Sequence, residues 1–167
     1  MTVSCFVVMG VTGSGKTTVG QAVAKRLGAS FIDGDDLHPP ANIEKMSRGE
    51  PLTDTDRAPW LRLVGQALSQ AEGPCVIGCS ALKRRYRDII RTEAGAPVMF
   101  LHLTGSRDVL AERVANRPGH FMPASLLDSQ IASLEPPGDG ELFKAADIDQ
   151  PVAEIVDGLL AGLGPDA

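Results

Sequence analysis

Gly10-Val11-Thr12-Gly13-Ser14-Gly15-Lys16-Thr17 fits the phosphate-binding pattern G-x-x-x-x-G-K-[ST] without a substitution. A pattern this short carries meaning only between a strand and a helix, and both flanks supply that context. Cys5-Phe6-Val7-Val8-Met9 is a short apolar run of the kind that forms a buried parallel strand, and Thr18 to Leu27 carries apolar residues at helical spacing until Gly28 ends it. Gly10, Gly13 and Gly15 let the backbone turn with its N–H groups inward, with Val11, Thr12 and Ser14 completing the cradle. The new helix adds the partial positive charge of its N-terminus. Lys16 is then placed to reach the β- and γ-phosphates, and the Thr17 hydroxyl to ligate Mg²⁺. Nucleoside triphosphate binding follows.

The 167 residues are enough for one domain, and 43% hydrophobic with 22% charged residues excludes disorder as a reading of the whole chain. A net charge of -5 and a pI near 5.1 leave no general attraction to nucleic acid or anionic membrane, so the ligand site must gather its own positive charge. Cys5, Cys75 and Cys79 lie in or beside apolar runs without zinc spacing, as reduced core residues of a cytoplasmic protein would. No apolar segment approaches spanning length and no export signal is expected, so neither membrane nor nucleic acid is an expected partner.

Short apolar runs alternate with helical patterns along the chain. Strands are expected at Ala29–Ile32, Pro74–Gly78 and Pro97–Leu103, with a weaker fifth at Leu142–Ile148 interrupted by Lys144 and Asp147. Amphipathic helices are expected around Trp60–Ala71, Lys83–Ala94, Arg107–Asn116, Pro123–Leu134 and Pro151–Leu163. This alternation predicts an α/β fold of the P-loop NTPase type, a three-layer sandwich with a mostly five-stranded parallel sheet flanked by helices. Ligands then bind at the carboxyl ends of the strands. One domain spanning 1–167 is expected, with a substrate-binding insertion at about 36–72 and a mobile lid at about 113–135. Pro136 to Gly140 reads as a mobile connection.

The second strand runs into Asp33-Gly34-Asp35-Asp36-Leu37-His38-Pro39-Pro40, which sets carboxylates at the sheet end that also carries the phosphate loop. If the strand continues, Asp33 and Asp35 point the same way and Asp36 the other. A carboxylate there holds Mg²⁺ through water or accepts a proton from an attacking hydroxyl. The alternative is an acidic turn whose aspartates cap a helix. His38 is a weaker candidate, since a lone histidine beside two prolines also orders a turn. Positive charge comes from Lys83-Arg84-Arg85 with Arg87 and Arg91, of which Arg84, Arg85 and Arg91 read as solvated, and from Arg113 and Arg117. The last two, four apart on one helical face, suit closure over the γ-phosphate, with Gly119-His120-Phe121-Met122 between Pro118 and Pro123 as a hinged segment. A solvated helix face is the plainer reading of that pair.

Taken together, these segments resemble the small P-loop gluconate kinases, relatives of shikimate kinases and nucleoside monophosphate kinases. The resemblance rests on the phosphate loop, Asp33-Gly34-Asp35-Asp36-Leu37-His38-Pro39, Asp56-Arg57-Ala58-Pro59-Trp60-Leu61, Cys79-Ser80-Ala81-Leu82-Lys83, Gly119-His120-Phe121-Met122, and Ser129-Gln130 with Leu134-Glu135. It implies ATP-dependent, Mg²⁺-assisted phosphorylation of the 6-hydroxyl of D-gluconate in sugar-acid catabolism. Within it, Asp35 holds and deprotonates the hydroxyl, Asp33 acts on Mg²⁺ through water, and Lys16, Arg113 and Arg117 serve the transferring phosphoryl group. The sugar acid is then bound by Asp35 and His38, with Arg57 as first choice for its carboxylate and Arg87 as second. A homodimer is what such kinases suggest. Kinases of another small acceptor, such as shikimate or a nucleotide, and a nucleotide-dependent switch are the competing readings.

Overall fold

The computed structural model describes residues 3–116 and 124–163. Five strands, β1 (Cys5–Met9), β2 (Ser30–Asp33), β3 (Cys75–Gly78), β4 (Val98–Thr104) and β5 (Leu142–Asp147), form one parallel sheet in the order β2-β3-β1-β4-β5. Among the described residues the helices are α1 (Lys16–Leu27), α2 (Pro40–Ser47), α3 (Asp54–Gln70), α4 (Arg84–Ala94), α5 (Arg107–Ala115), α6 (Ala124–Ser133) and α7 (Val152–Leu160).

The sheet separates two cores because successive strand residues face opposite sides. On one side Phe6 and Val8 of β1 meet Val19 and Val23 of α1 and Ile155 and Leu159 of α7. On the other, Val7 and Met9 meet Leu61 and Val64 of α3 and Ile90 of α4. Every residue of β1 is buried, which accounts for its continuous apolar run. The expected three-layer sandwich is therefore present. β1 lies between β3 and β4, so the chain leaves β1 toward one side of the sheet and later returns to the other. The turn that follows β1 sits at that reversal, where open α/β sheets bind ligands.

The fifth strand exists, and its broken pattern has a cause. β5 is an edge strand with Leu142 and Phe143 substantially exposed, so only its Ala146 packs into the core. Two differences from the expected elements bear on the site. α2 is an additional helix, and α3 starts at Asp54 instead of Trp60. A capping box starts α3: Thr53 Oγ1 accepts from the Asp56 N–H at 3.1 Å, and the Asp56 carboxylate accepts from the Thr53 N–H at 2.9 Å. Pro59 lies inside this helix.

Candidate active site

The phosphate loop is folded by its own residues. Ser14 is buried, and its hydroxyl donates to the Val11 carbonyl at 2.7 Å, closing the turn from within. The Gly10 N–H donates to the Ser80 carbonyl at 3.3 Å, which ties the loop to the chain leaving β3. Gly13 has a φ of 82°, and a Cβ there would lie 2.8 Å from Val114 Cγ2 of α5, so both backbone sign and space require glycine. α1 begins at Lys16 with no side-chain cap and no acidic residue in its first turn. Its leading N–H groups and dipole are thus left to attract an anion, the chemistry a triphosphate needs. Lys16 Nζ donates to the carbonyls of Gly10 and Val11, each at 3.1 Å, which sets the ammonium over the start of the loop.

A cavity of about 570 Å³ opens beside this loop. Thr12, Gly13, Gly15, Lys16 and Thr17 line one wall, and Asp33, Asp35 and Ser80 another. The two aspartates get there by a route different from strand alternation. β2 ends at Asp33, and Gly34–Leu37 form a single 3₁₀ turn in which Asp33 Oδ1 accepts from the Asp35 N–H at 3.0 Å. Asp33 is therefore the cap, and the turn brings Asp35 to the same cavity. The turn is tightly seated, since a Cβ at Gly34 would collide with the Gly78 carbonyl oxygen. Burial first, and the neighbouring Asp33 charge second, raise the Asp35 carboxyl above the usual range against the opposing pull of His38 and Lys16. Thr17 and Asp33 border one cavity as hard oxygen donors. That set suits Mg²⁺, which keeps several waters and takes its remaining ligands from phosphate.

Beyond Asp35 stand α2 and α3, of which Met46 of α2 lines the cavity, while His38 lies outside its lining. The His38 ring stacks on Trp60 at 4.1 Å between centroids with 16° between planes, while Trp60 Nε1–H donates to the Gly34 carbonyl at 2.8 Å. Asn42 Nδ2 donates to the Asp56 carbonyl at 3.0 Å and lies 3.3 Å from His38 Nδ1. An amide nitrogen only donates, so His38 Nδ1 accepts and the ring proton sits on Nε2. Burial lowers the His38 pKa, as does the Arg57 charge, against the opposing effect of Asp35, and the ring is neutral near pH 7. Lys45 Nζ pairs with Asp56 at 2.6 Å and joins α2 to the start of α3. Arg57 lies outside the residues lining the cavity, where its guanidinium donates to Tyr86 Oη at 3.4 Å and stands 3.9 Å from Asp54.

From the far side come Arg113 and Gln130, both lining the cavity. Arg113 closes α5 and donates to the Ile148 carbonyl at 2.6 Å. Gln130, on α6, accepts from the Thr12 N–H at 2.7 Å. The helix carrying Arg113 ends at Ala115. Arg117 itself and Gly119 to Met122 lie outside the described residues. Of the stretch expected as a lid, the described part brings Arg113 and Gln130 to the site.

Comparison with known proteins gives the family. A family described as an AAA domain matches residues 6–137. A curated gluconokinase of Gluconobacter oxydans is 56% identical over 139 residues, 81% of this chain and 78% of its own. This chain belongs to the gluconokinase family. The thermosensitive gluconokinase of Escherichia coli is 47% identical over 157 residues, covering 91% of this chain and 83% of that protein. The crystal structure of a gluconokinase from Sinorhizobium meliloti superposes with a TM-score of 0.87 at 54% identity, over 96% of this chain and 91% of that one. A shikimate kinase from Aquifex aeolicus, with a TM-score of 0.60 at 15% identity, shares the fold.

In this gluconokinase-family chain one expected ligand is excluded by burial. Arg87, the second choice for the substrate carboxylate, is fully buried and committed. Its guanidinium pairs with Glu141 at 2.8 Å and donates to the carbonyls of Ala81 at 2.8 Å, Leu82 at 3.2 Å and Glu135 at 2.8 Å. Arg91, expected to be solvated, also donates to Glu141, at 2.9 Å. Burial works to raise the Glu141 pKa, but hydrogen bonds from Arg87, Arg91 and the Gly138 N–H outweigh it and hold the group at about 2. The Pro136–Gly140 connection, expected to be mobile, is tied down at Glu135, just before it, and at Gly138 within it. Arg87→Ala is therefore expected to cost about 3–5 kcal/mol in urea unfolding, because it leaves a buried carboxylate short of its partner. A rise in the gluconate KM with unchanged stability would instead make Arg87 a substrate ligand.

Proposed function

We propose that the protein is an ATP-dependent kinase that phosphorylates the 6-hydroxyl of D-gluconate, releasing 6-phospho-D-gluconate and ADP. The observation that carries this reading is the meeting of Lys16 and Asp35 on one cavity. An ammonium beside the phosphate loop and a carboxylate on the same cavity support phosphate binding next to proton acceptance. The family membership supplies the acceptor's identity.

In this reading the loop amides and Lys16 hold the triphosphate, and Arg113 lends charge to the γ-phosphoryl group as it transfers. The 6-hydroxyl oxygen forms a bond to the γ-phosphorus while the bond to the β,γ-bridging oxygen breaks. Its proton passes to Asp35, and the bridging oxygen leaves on ADP. The Thr17 hydroxyl and, through water, Asp33 would hold a Mg²⁺ ion, which would supply neutralisation of the phosphate charge. The segment from about 36 to 72 forms the acceptor wall, with His38 Nε2–H donating to a sugar hydroxyl and Arg57 meeting the carboxylate. Arg57 is poised for this, since its bonds to Tyr86 and Asp54 are long and its side chain is about one-third exposed.

A coupled ADP-release assay over sugar acids, shikimate and nucleoside monophosphates tests the reading. Gluconate is expected to turn over fastest, and Arg57→Ala to raise its KM by about tenfold or more with a smaller change in kcat. Shikimate or a nucleotide as the preferred acceptor would overturn the assignment.

A further inference from the structure

Gln130 is separated from the phosphate loop by more than a hundred residues, yet among the described residues its Oε1 is the only side-chain atom that accepts from the Thr12 N–H. Its place is built. Leu127, one turn earlier on α6, is buried in the core, and Ile131 packs against the same cluster. On the outer face Arg107 grips Asp128 through two bonds, at 2.6 and 3.1 Å, and so joins α6 to α5. The helix is held on two sides, and Gln130 is left turned to the cavity.

Hydrogen-bond logic fixes how its carboxamide is oriented. Thr12 N–H can only donate, so the group facing it is Oε1, and Nε2 with its two N–H donors is on the other arm of the planar amide. Nε2 makes no hydrogen bond to any described residue. Its neighbours indicate what it meets. Lys16 Nζ rests on the carbonyls of Gly10 and Val11, the residues just before Thr12, so the ammonium that serves the β- and γ-phosphates lies at this end of the loop. Resting on the reading above, we propose that Gln130 is a ligand of the transferring phosphoryl group: Oε1 is anchored on Thr12, and Nε2 donates to a γ-phosphate oxygen. A neutral donor fixed by a backbone amide adds charge stabilisation without a flexible side chain to order.

Two substitutions separate this role from simple seating of the loop. Gln130→Glu keeps an acceptor for Thr12 N–H, replaces the donor arm by an oxygen and sets a negative charge beside the phosphate. Gln130→Met keeps the shape and loses both bonds. Steady-state kinetics are expected to show kcat falling by about tenfold to a hundredfold in Gln130→Met, and by about a further tenfold in Gln130→Glu. Titration calorimetry should show Gln130→Glu weakening a non-hydrolysable ATP analogue by about tenfold or more, with ADP affinity changed less than about threefold. Gln130→Glu matching the wild type, or outperforming Gln130→Met, would overturn the proposal and leave Gln130 as a loop anchor. Equal weakening of ADP and the triphosphate analogue would do the same. The calorimetric contrast is independent of the acceptor, so an inactive wild type with gluconate would count against the function and leave the Gln130 test intact.

Discussion

Lys16→Ala is expected to reduce kcat by about two powers of ten or more while the protein still folds. The ammonium sits over the carbonyls of Gly10 and Val11, and no other lysine lines the cavity among the described residues. The fold should survive because Lys16 is only half buried and opens α1, where alanine is a good helix former. Circular dichroism melting checks that condition, and the ADP-release assay reads the loss. A second effect follows from the same geometry. Lys16 lowers the Asp35 pKa, so its removal should move the acid limb of any residual activity to higher pH. A folded variant with near-normal turnover would remove the loop from the mechanism.

The phosphate loop was legible because all of its determinants are local. Glycine spacing, a flanking apolar run and a helical pattern lie within about two dozen residues, and each follows from backbone sterics or burial. The same holds for the parallel sheet, whose central strands are buried on both faces and read as unbroken apolar runs. What escaped the sequence depends on contacts between distant segments. The carboxylates reach the cavity through a 3₁₀ turn capped by Asp33, and Asp-Gly-Asp-Asp is equally compatible with a continuing strand. α3 begins at a Thr53/Asp56 capping box, but Pro59 within its second turn reads as a helix break. Arg87 follows Tyr86 on α4 and Arg57 donates to the same tyrosine from α3, and only the fold distinguishes the two arginines. One pairs with Glu141 in the interior, and the other stays about one-third exposed, 3.9 Å from Asp54. Gln130 carried no spacing signal, since its partner Thr12 lies 118 residues away.

Asp35→Asn is expected to produce the larger loss with the acceptor, with ATP binding kept. Asparagine preserves size and much of the hydrogen bonding, but it cannot take the proton from the attacking hydroxyl or orient it by charge, so kcat should fall steeply. ATP affinity should hold or improve, because a negative charge near the phosphates is removed. The pH dependence follows from the direction of the shift. The active form is the carboxylate, and burial with Asp33 raises its pKa, so activity should fall as pH drops through a value above the ordinary range of about 4. Stability runs the opposite way. A carboxyl with a raised folded pKa favours the native state below its unfolded pKa, and that contribution is lost as pH rises through the folded value. Above its folded pKa the ionised Asp35 therefore costs stability, and there Asp35→Asn should melt higher than the wild type, with the difference shrinking in acid. An acid limb that persists unchanged in Asp35→Asn, together with retained turnover, would assign the proton to another group and leave Asp35 as a neighbour of the metal.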